Sequence, residues 1–218
     1  MKNNSLKVNM GLNTIKNIMS VVFPLITFPY ISKILEVERI GIYTFSCSVI
    51  DLFCLFGMLG TTSYAIREGS MLKNDRIKLG EFANQVFSIS VCSSLLTYAA
   101  FLILLFLVPK FQSCYIVLLI LSVYIVLTPL SVEWIFSIEE DYLYITLRSI
   151  MFQIISLVLM FAFVKTQNDL LIYVGITAFS KTAICLSGFI YSHKYLRIKL
   201  TRKIELAKHI KPILIIFS

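Results

Sequence analysis

The sequence predicts an all-α integral membrane protein with six transmembrane helices, and three observations carry that prediction. Hydrophobic residues make up 58% of the 218 residues and mean hydropathy is +0.85, beyond the about 45–50% apolar content of soluble domains. Charged residues reach only 15% and are unevenly placed, so that runs such as CYIVLLILSVYIVLTPLSV (114–132) carry none. A bilayer core about 30 Å thick asks for roughly 20 apolar residues at 1.5 Å each. The runs also lack the period-two alternation of barrel strands, which leaves helices.

The spans fall at 13–35, 40–63, 84–109, 114–133, 143–164 and 169–192. The first contains VVFPLITFPYISKIL (21–35), with Pro24 and Pro29 inside an apolar run. Each proline lacks an N–H, so the carbonyls of Ser20 and Leu25 are freed and the helix bends. Hydroxyls at Ser20, Thr27 and Ser32 are placed to satisfy part of that loss. Interrupted helices mark substrate paths in transporters, and Pro129 in the fourth span is a weaker case. Between the second and third spans, AIREGSMLKNDRIKLGEFANQ (65–85) spaces Met71, Leu72, Ile77, Leu79 and Phe82 among charges, which predicts a short interfacial helix. Gly57, Gly60 and Gly41 read as close-packing positions.

The basic segment HKYLRIKLTRKIELAKHIK (193–211) follows the sixth span, and KPILIIFS (211–218) begins a seventh apolar run. The expected organisation is therefore a six-helix lobe over 1–192, a basic linker over 193–211, and the start of a truncated seventh helix over 212–218. Lysine and arginine placement sets the orientation. With both ends cytoplasmic, Lys33, Arg39, Lys110 and Lys165 fall outside, Lys181 lies within a span, and the other fifteen fall inside. The net charge of +8 then belongs to an inner face against anionic lipids, with no nucleic-acid partner needed.

Five cysteines (Cys47, Cys54, Cys92, Cys114 and Cys185) lie in apolar runs without metal-ligand spacing and read as small buried hydrophobes. His193 and His209 both sit in the basic segment, and no nucleophile, base and acid can be assembled at one depth, so an enzyme is not expected. No metal or cofactor is expected either. Ionisable groups at membrane depth each cost on the order of 2.5–3.5 kcal/mol on insertion scales and need a reason. Asp51 and Lys181 match in depth as one pair, and Glu133 and Arg148 face each other across a hairpin as another. Two readings stand side by side: structural ion pairs inside the bundle, or a polar cavity for an anionic group and a coupling ion. Lys33 and Arg67, near span ends, suit either snorkelling anchors or substrate contacts.

PLITFPYISKILEVERIGIYTFSCSVIDLF (24–53), YAIREGS (64–70), FANQVFSISV (82–91), EWIFSIEEDYLYITLRSI (133–150) and FVKTQNDLLIY (163–173) together resemble the N-terminal half of Wzx-type polysaccharide repeat-unit (O-antigen) flippases. The resemblance runs along essentially the whole chain, in order and spacing. It implies one lobe of a two-lobe transporter in the superfamily of MATE exporters and lipid II flippases, located in the bacterial cytoplasmic membrane. The implied substrate is an undecaprenyl-pyrophosphate-linked oligosaccharide, with a second six-helix lobe and a glycan polymerase as partners. It further implies Lys33, Arg67, Arg148 and Lys181 as substrate contacts, and Asp51 and Glu133 as carboxylates coupled to protons or another cation. Lys33 stands where the family has arginine, giving a point charge instead of a bidentate fork, and Glu36 stands where it has glycine. A small-molecule exporter of the same superfamily and a non-transporting scaffold for glycan enzymes are the alternative functions.

Overall fold

The computed structural model describes residues 2–201 and 205–217. Residues 202–204 of the expected linker and Ser218 of the expected seventh run lie outside the described residues. No strand occurs among the described residues, and six helical segments are long and apolar enough to cross a membrane. The first is α1 (Lys2–Ile34), a single helix of 33 residues with Pro24 and Pro29 inside it. The second span divides into α2 (Val37–Met58) and α3 (Thr61–Met71). The third is α4 (Arg76–Leu107), followed by the short α5 (Pro109–Gln112). The fourth runs through α6 (Tyr115–Leu127), a 3-10 turn (Thr128–Ser131) and α7 (Glu133–Ile138). The fifth and sixth are α8 (Tyr142–Phe163) and α9 (Leu170–Ser192), and α10 (Leu206–Phe217) follows.

Spans two and four are broken where the backbone turns left-handed. Leu59 (φ 45°) and Gly60 (φ 71°) separate α2 from α3, and Val132 (φ 38°) separates the 3-10 turn from α7. Glycine adopts this conformation freely. For β-branched Val132 it is a genuine outlier, costing of order 1–3 kcal/mol that surrounding packing must offset. Val132 is 1% exposed, which supplies that packing. The Thr61 hydroxyl donates to the Met58 carbonyl at 2.6 Å, and the Thr128 hydroxyl donates to Tyr124 O at 2.6 Å. Both breaks thus recover helix-end acceptors through side chains.

The breaks fall between two apolar cores. One gathers Ile31, Leu35, Ile50, Phe101, Leu118, Met160 and Val174 with their neighbours; the other gathers Tyr64, Leu79, Phe82, Val86, Trp134, Ile135 and Ile213. Antiparallel spans place these cores at opposite ends of the bundle. Hydrophobic contrast between helices is weak in lipid, so close approach by small residues matters. Gly57 serves that purpose, since a Cβ there would lie 3.2 Å from Ser94 Oγ. Gly41 meets nothing within 4 Å, and Gly60 forms the break rather than a packing surface.

The expected interfacial helix over 65–85 does not form. Residues 65–71 complete α3, and α4 starts at Arg76, where the Asp75 carboxylate accepts from Lys78 N at 3.1 Å. Leu79, Phe82, Ala83 and Val86 lie on one helical face and bury into the second core, so the apolar spacing reflects packing against protein, not a membrane surface. The basic segment is similarly held. Lys199 N donates to Asn84 Oδ1 at 2.7 Å and Thr201 N to Ser88 Oγ at 2.9 Å, with Leu196 and Ile198 buried. The helix after it begins at Leu206 and continues through Pro212.

The three prolines sit in different surroundings. In α1 the helix continues through both Pro24 and Pro29. The nearby hydroxyls donate to other acceptors than the two expected: Ser20 to Asn17 O, Thr27 to Pro24 O and Ser32 to Pro29 O. Pro129 sits at the start of the 3-10 turn, where span four breaks. All five cysteines are free; Cys114 and Cys185 are buried, Cys47 and Cys54 half-buried, but Cys92 is exposed on α4 rather than buried.

Candidate functional site

Two charged clusters are assembled at membrane depth. The first joins three helices. Glu133, the first residue of α7, accepts from Arg148 Nη2 of α8 at 2.9 Å and from Lys16 Nζ of α1 at 3.0 Å, one through each carboxylate oxygen. The Arg148 side chain is 2% exposed, against 32% for Glu133 and 26% for Lys16. Its guanidinium lies 5.2 Å from the Tyr144 ring centroid and 5.5 Å from that of Phe136, within cation–π range. Nε and Nη1 of Arg148 have no hydrogen-bond partner among the described residues. The cluster therefore holds a buried cation whose carboxylate is shared and whose other N–H groups are idle.

The second cluster pairs Lys181 Nζ of α9 with Asp51 Oδ1 of α2 at 2.9 Å. Lys181 also lies 5.0 Å from the Tyr124 ring of α6. Here the side chains are 35% and 58% exposed, so this pair looks out from the bundle. The two clusters are linked by α9. Lys181, Cys185 and Gly188 follow at helical spacing on one face, and Lys181 and Gly188 are about 10 Å apart at 1.5 Å per residue.

Toward the other end of α9, Tyr173 and Thr177 continue the Lys181 face and line a cleft of about 200 Å³ with Pro24, Thr27, Ile31 and Tyr43. The cleft lies between α1, α2 and α9. The lining is mostly apolar, so it suits hydrocarbon better than a charged group. Pro24 faces this cleft, although it leaves α1 unbroken.

The pairs Asp51–Lys181 and Glu133–Arg148 are thus formed as the sequence suggested, while Lys33 and Arg67 stand apart from them. Lys33 is exposed in the last turn of α1. Arg67 is exposed on α3 and lies 3.7 Å from its neighbour Glu68. Lys16, Tyr124, Gly188 and Val132 were not singled out from the sequence. Lys16 sits in the first turns of an expected span and reads as an ordinary cytoplasmic cation. A basic residue on the same helical stripe as the buried Thr27 would have been the only clue.

Outside the spans, a hydrogen bond to Lys78 holds the Asp75 carboxyl below the usual carboxylate range. A hydrogen bond to the Tyr191 hydroxyl raises Lys194 above the ordinary lysine value. Tyr191 and Tyr195 both donate to Asp141 Oδ2, at 3.3 and 2.6 Å, which ties the end of α9 to the start of α8. No group of three or more histidine, cysteine or acidic side chains with metal-binding placement occurs among the described residues.

Six helical segments long and apolar enough to cross a membrane, with ion pairs formed between them, define a polytopic membrane protein. The chain belongs to the polysaccharide biosynthesis protein family, whose profile matches residues 6–216, and this is the family of the Wzx-type polysaccharide flippases. Neither a curated protein nor a solved structure matches it.

Proposed function

We propose that this chain forms one lobe of a flippase that moves undecaprenyl-pyrophosphate-linked oligosaccharide across the bacterial cytoplasmic membrane, acting as a transporter and not as an enzyme. One observation carries the reading beyond family membership. Lys181 and Asp51 form a charged pair near mid-depth that is open to the outside of the lobe. A charge at that depth avoids lipid and faces protein or a water-filled cavity. A second six-helix lobe across that face would enclose such a cavity, and rocking of the two lobes would open it alternately to each side.

In this reading Lys181 takes the pyrophosphate at mid-depth. Arg148, with its idle Nε and Nη1 donors, takes it at the neighbouring station, while exposed Lys33 and Arg67 attract it at the two ends. A phosphate oxygen arriving at Lys181 would compete with Asp51, and one at Arg148 with Glu133. Each displaced carboxylate would then be free to take a proton or another cation, which couples loading to ion binding. Both chain ends lie in the cytoplasm, beside anionic lipids and a glycan polymerase.

Lys181→Ala in the intact protein tests the reading. The expected result is loss of surface glycan with normal protein level in the membrane. Unchanged glycan display would remove Lys181 from the substrate path. Transport of small organic cations dependent on Asp51 would turn the assignment toward an exporter.

A further inference from the structure

We propose that Gly188 is the positioning residue for the Arg148 guanidinium, so that α9 carries both cation stations on one face: Lys181 directly and Arg148 by support. The functional consequence rests on the flippase reading; the geometry does not. A Cβ built at Gly188 would run into Arg148 Nη1, and it would lie 2.5 Å from the Ser131 carbonyl oxygen. Both distances are far inside van der Waals contact, so neither group can remain where it is if residue 188 has a side chain. The guanidinium occupies the space that the missing Cβ leaves.

That space decides which way Arg148 points. Phe136 and Tyr144 border the guanidinium at 5.5 and 5.2 Å, and the side chain is 98% buried, so few other rotamers are open to it. Pushed from the α9 side, Nη2 moves relative to Glu133 Oε1, the acceptor at 2.9 Å. Glu133 cannot easily follow, because its other oxygen is held by Lys16 and its backbone is anchored just after Val132 in the left-handed region. A glycine on α9 thus sets the register of an ion pair made by α7 and α8.

The contact with Ser131 predicts that any side chain at 188 also strains the packing of α9 on the 3-10 turn. The experiment must therefore separate positioning from packing. Thermal unfolding of the intact protein in nanodiscs, with Glu133→Gln, Arg148→Gln and the double variant, measures the coupling of that pair. Repeating the cycle in a Gly188→Ala background is expected to abolish most of the coupling. Full coupling in that background overturns the proposal. If Gly188→Ala does not accumulate, Gly188→Ala/Arg148→Lys is expected to recover part of the protein level, because lysine leaves the Nη1 position empty while the Ser131 contact remains. Failure of both assigns the glycine to packing against Ser131 alone and also overturns it.

Stabilisation by geranylgeranyl diphosphate supplies the functional arm. Gly188→Ala is expected to weaken its binding about tenfold, the scale of one lost charge-assisted hydrogen bond, and to add nothing in an Arg148→Gln background. A further loss in that background contradicts a role through Arg148. If the parent protein shows no diphosphate stabilisation, the flippase reading fails while the coupling cycle still decides the positioning role.

Discussion

The Glu133–Arg148–Lys16 cluster and the Asp51–Lys181 pair contain the same chemistry in opposite surroundings. In the first, the arginine is sealed between two rings and two helices, with its side chain 2% exposed. In the second, the same 2.9 Å contact is made by side chains 35% and 58% exposed. Removing one partner of a sealed pair leaves an uncompensated charge in a low dielectric, whereas a half-open pair keeps access to water and screening. Shared chemistry therefore predicts different phenotypes: structural failure together with lost binding at the first site, and loss of transport in an intact fold at the second.

The sharpest way to break that contrast is Glu133→Ala, expected to lower stability by about 3–5 kcal/mol by stranding the sealed Arg148 guanidinium. A thermal unfolding midpoint near that of the parent would show that the first cluster is as dispensable to folding as the second. Relieving the backbone next to Glu133 should cost much less. Val132→Gly accepts φ 38° without strain, but it loses a buried side chain, at a cost of about 1.5–3 kcal/mol against the strain relieved. The expected sum is a destabilisation of about 1 kcal/mol, well below that of a buried valine in relaxed backbone. A loss above about 3 kcal/mol would mean that Val132 is not strained.

Asp51→Asn and Lys181→Gln should each change stability by only about 0–1 kcal/mol, while glycan display falls. Retained display with reduced stability would reverse the assignment of the two clusters. The smallest effect belongs to Asp75, which caps α4 and lies outside both clusters. Its depressed pKa means that its contribution is present above the unfolded carboxylate value and is lost as pH falls through the lower, folded one. Asp75→Asn should flatten the acid limb of the stability profile by this small amount, and an unchanged limb would show that the cap contributes nothing.

The spans and the partnering of buried charges were readable because both follow from one rule: lipid tolerates neither polar backbone nor lone charge. The positions of the helix breaks were not readable in the same way. Pro24 and Pro29 announce a disruption, yet α1 continues through them, because a proline removes one hydrogen bond and bends a helix without ending it. The breaks need a left-handed residue. One of these, Val132, belongs to the residue type least suited to that backbone, so no local preference points to it. The polar stretch 65–85 misled for a related reason. Its apolar spacing is real, but periodicity cannot tell whether a helical face meets a membrane surface or a neighbouring helix. Gly188 was illegible because its meaning depends on an arginine forty residues earlier.

The 32-residue α4 differs from spans two and four in having no break, and it places fully buried residues in both apolar cores. Mechanically it is a lever whose fulcrum is wherever the cores grip it least. At 1.5 Å per residue it is about 48 Å long, so a tilt of about 5° displaces one end relative to the other by roughly 4 Å. The broken spans can absorb such a movement at Leu59–Gly60 and Val132, whereas α4 can only transmit it. A small rotation at one face of the membrane would then appear, undamped and reversed in direction, at the other.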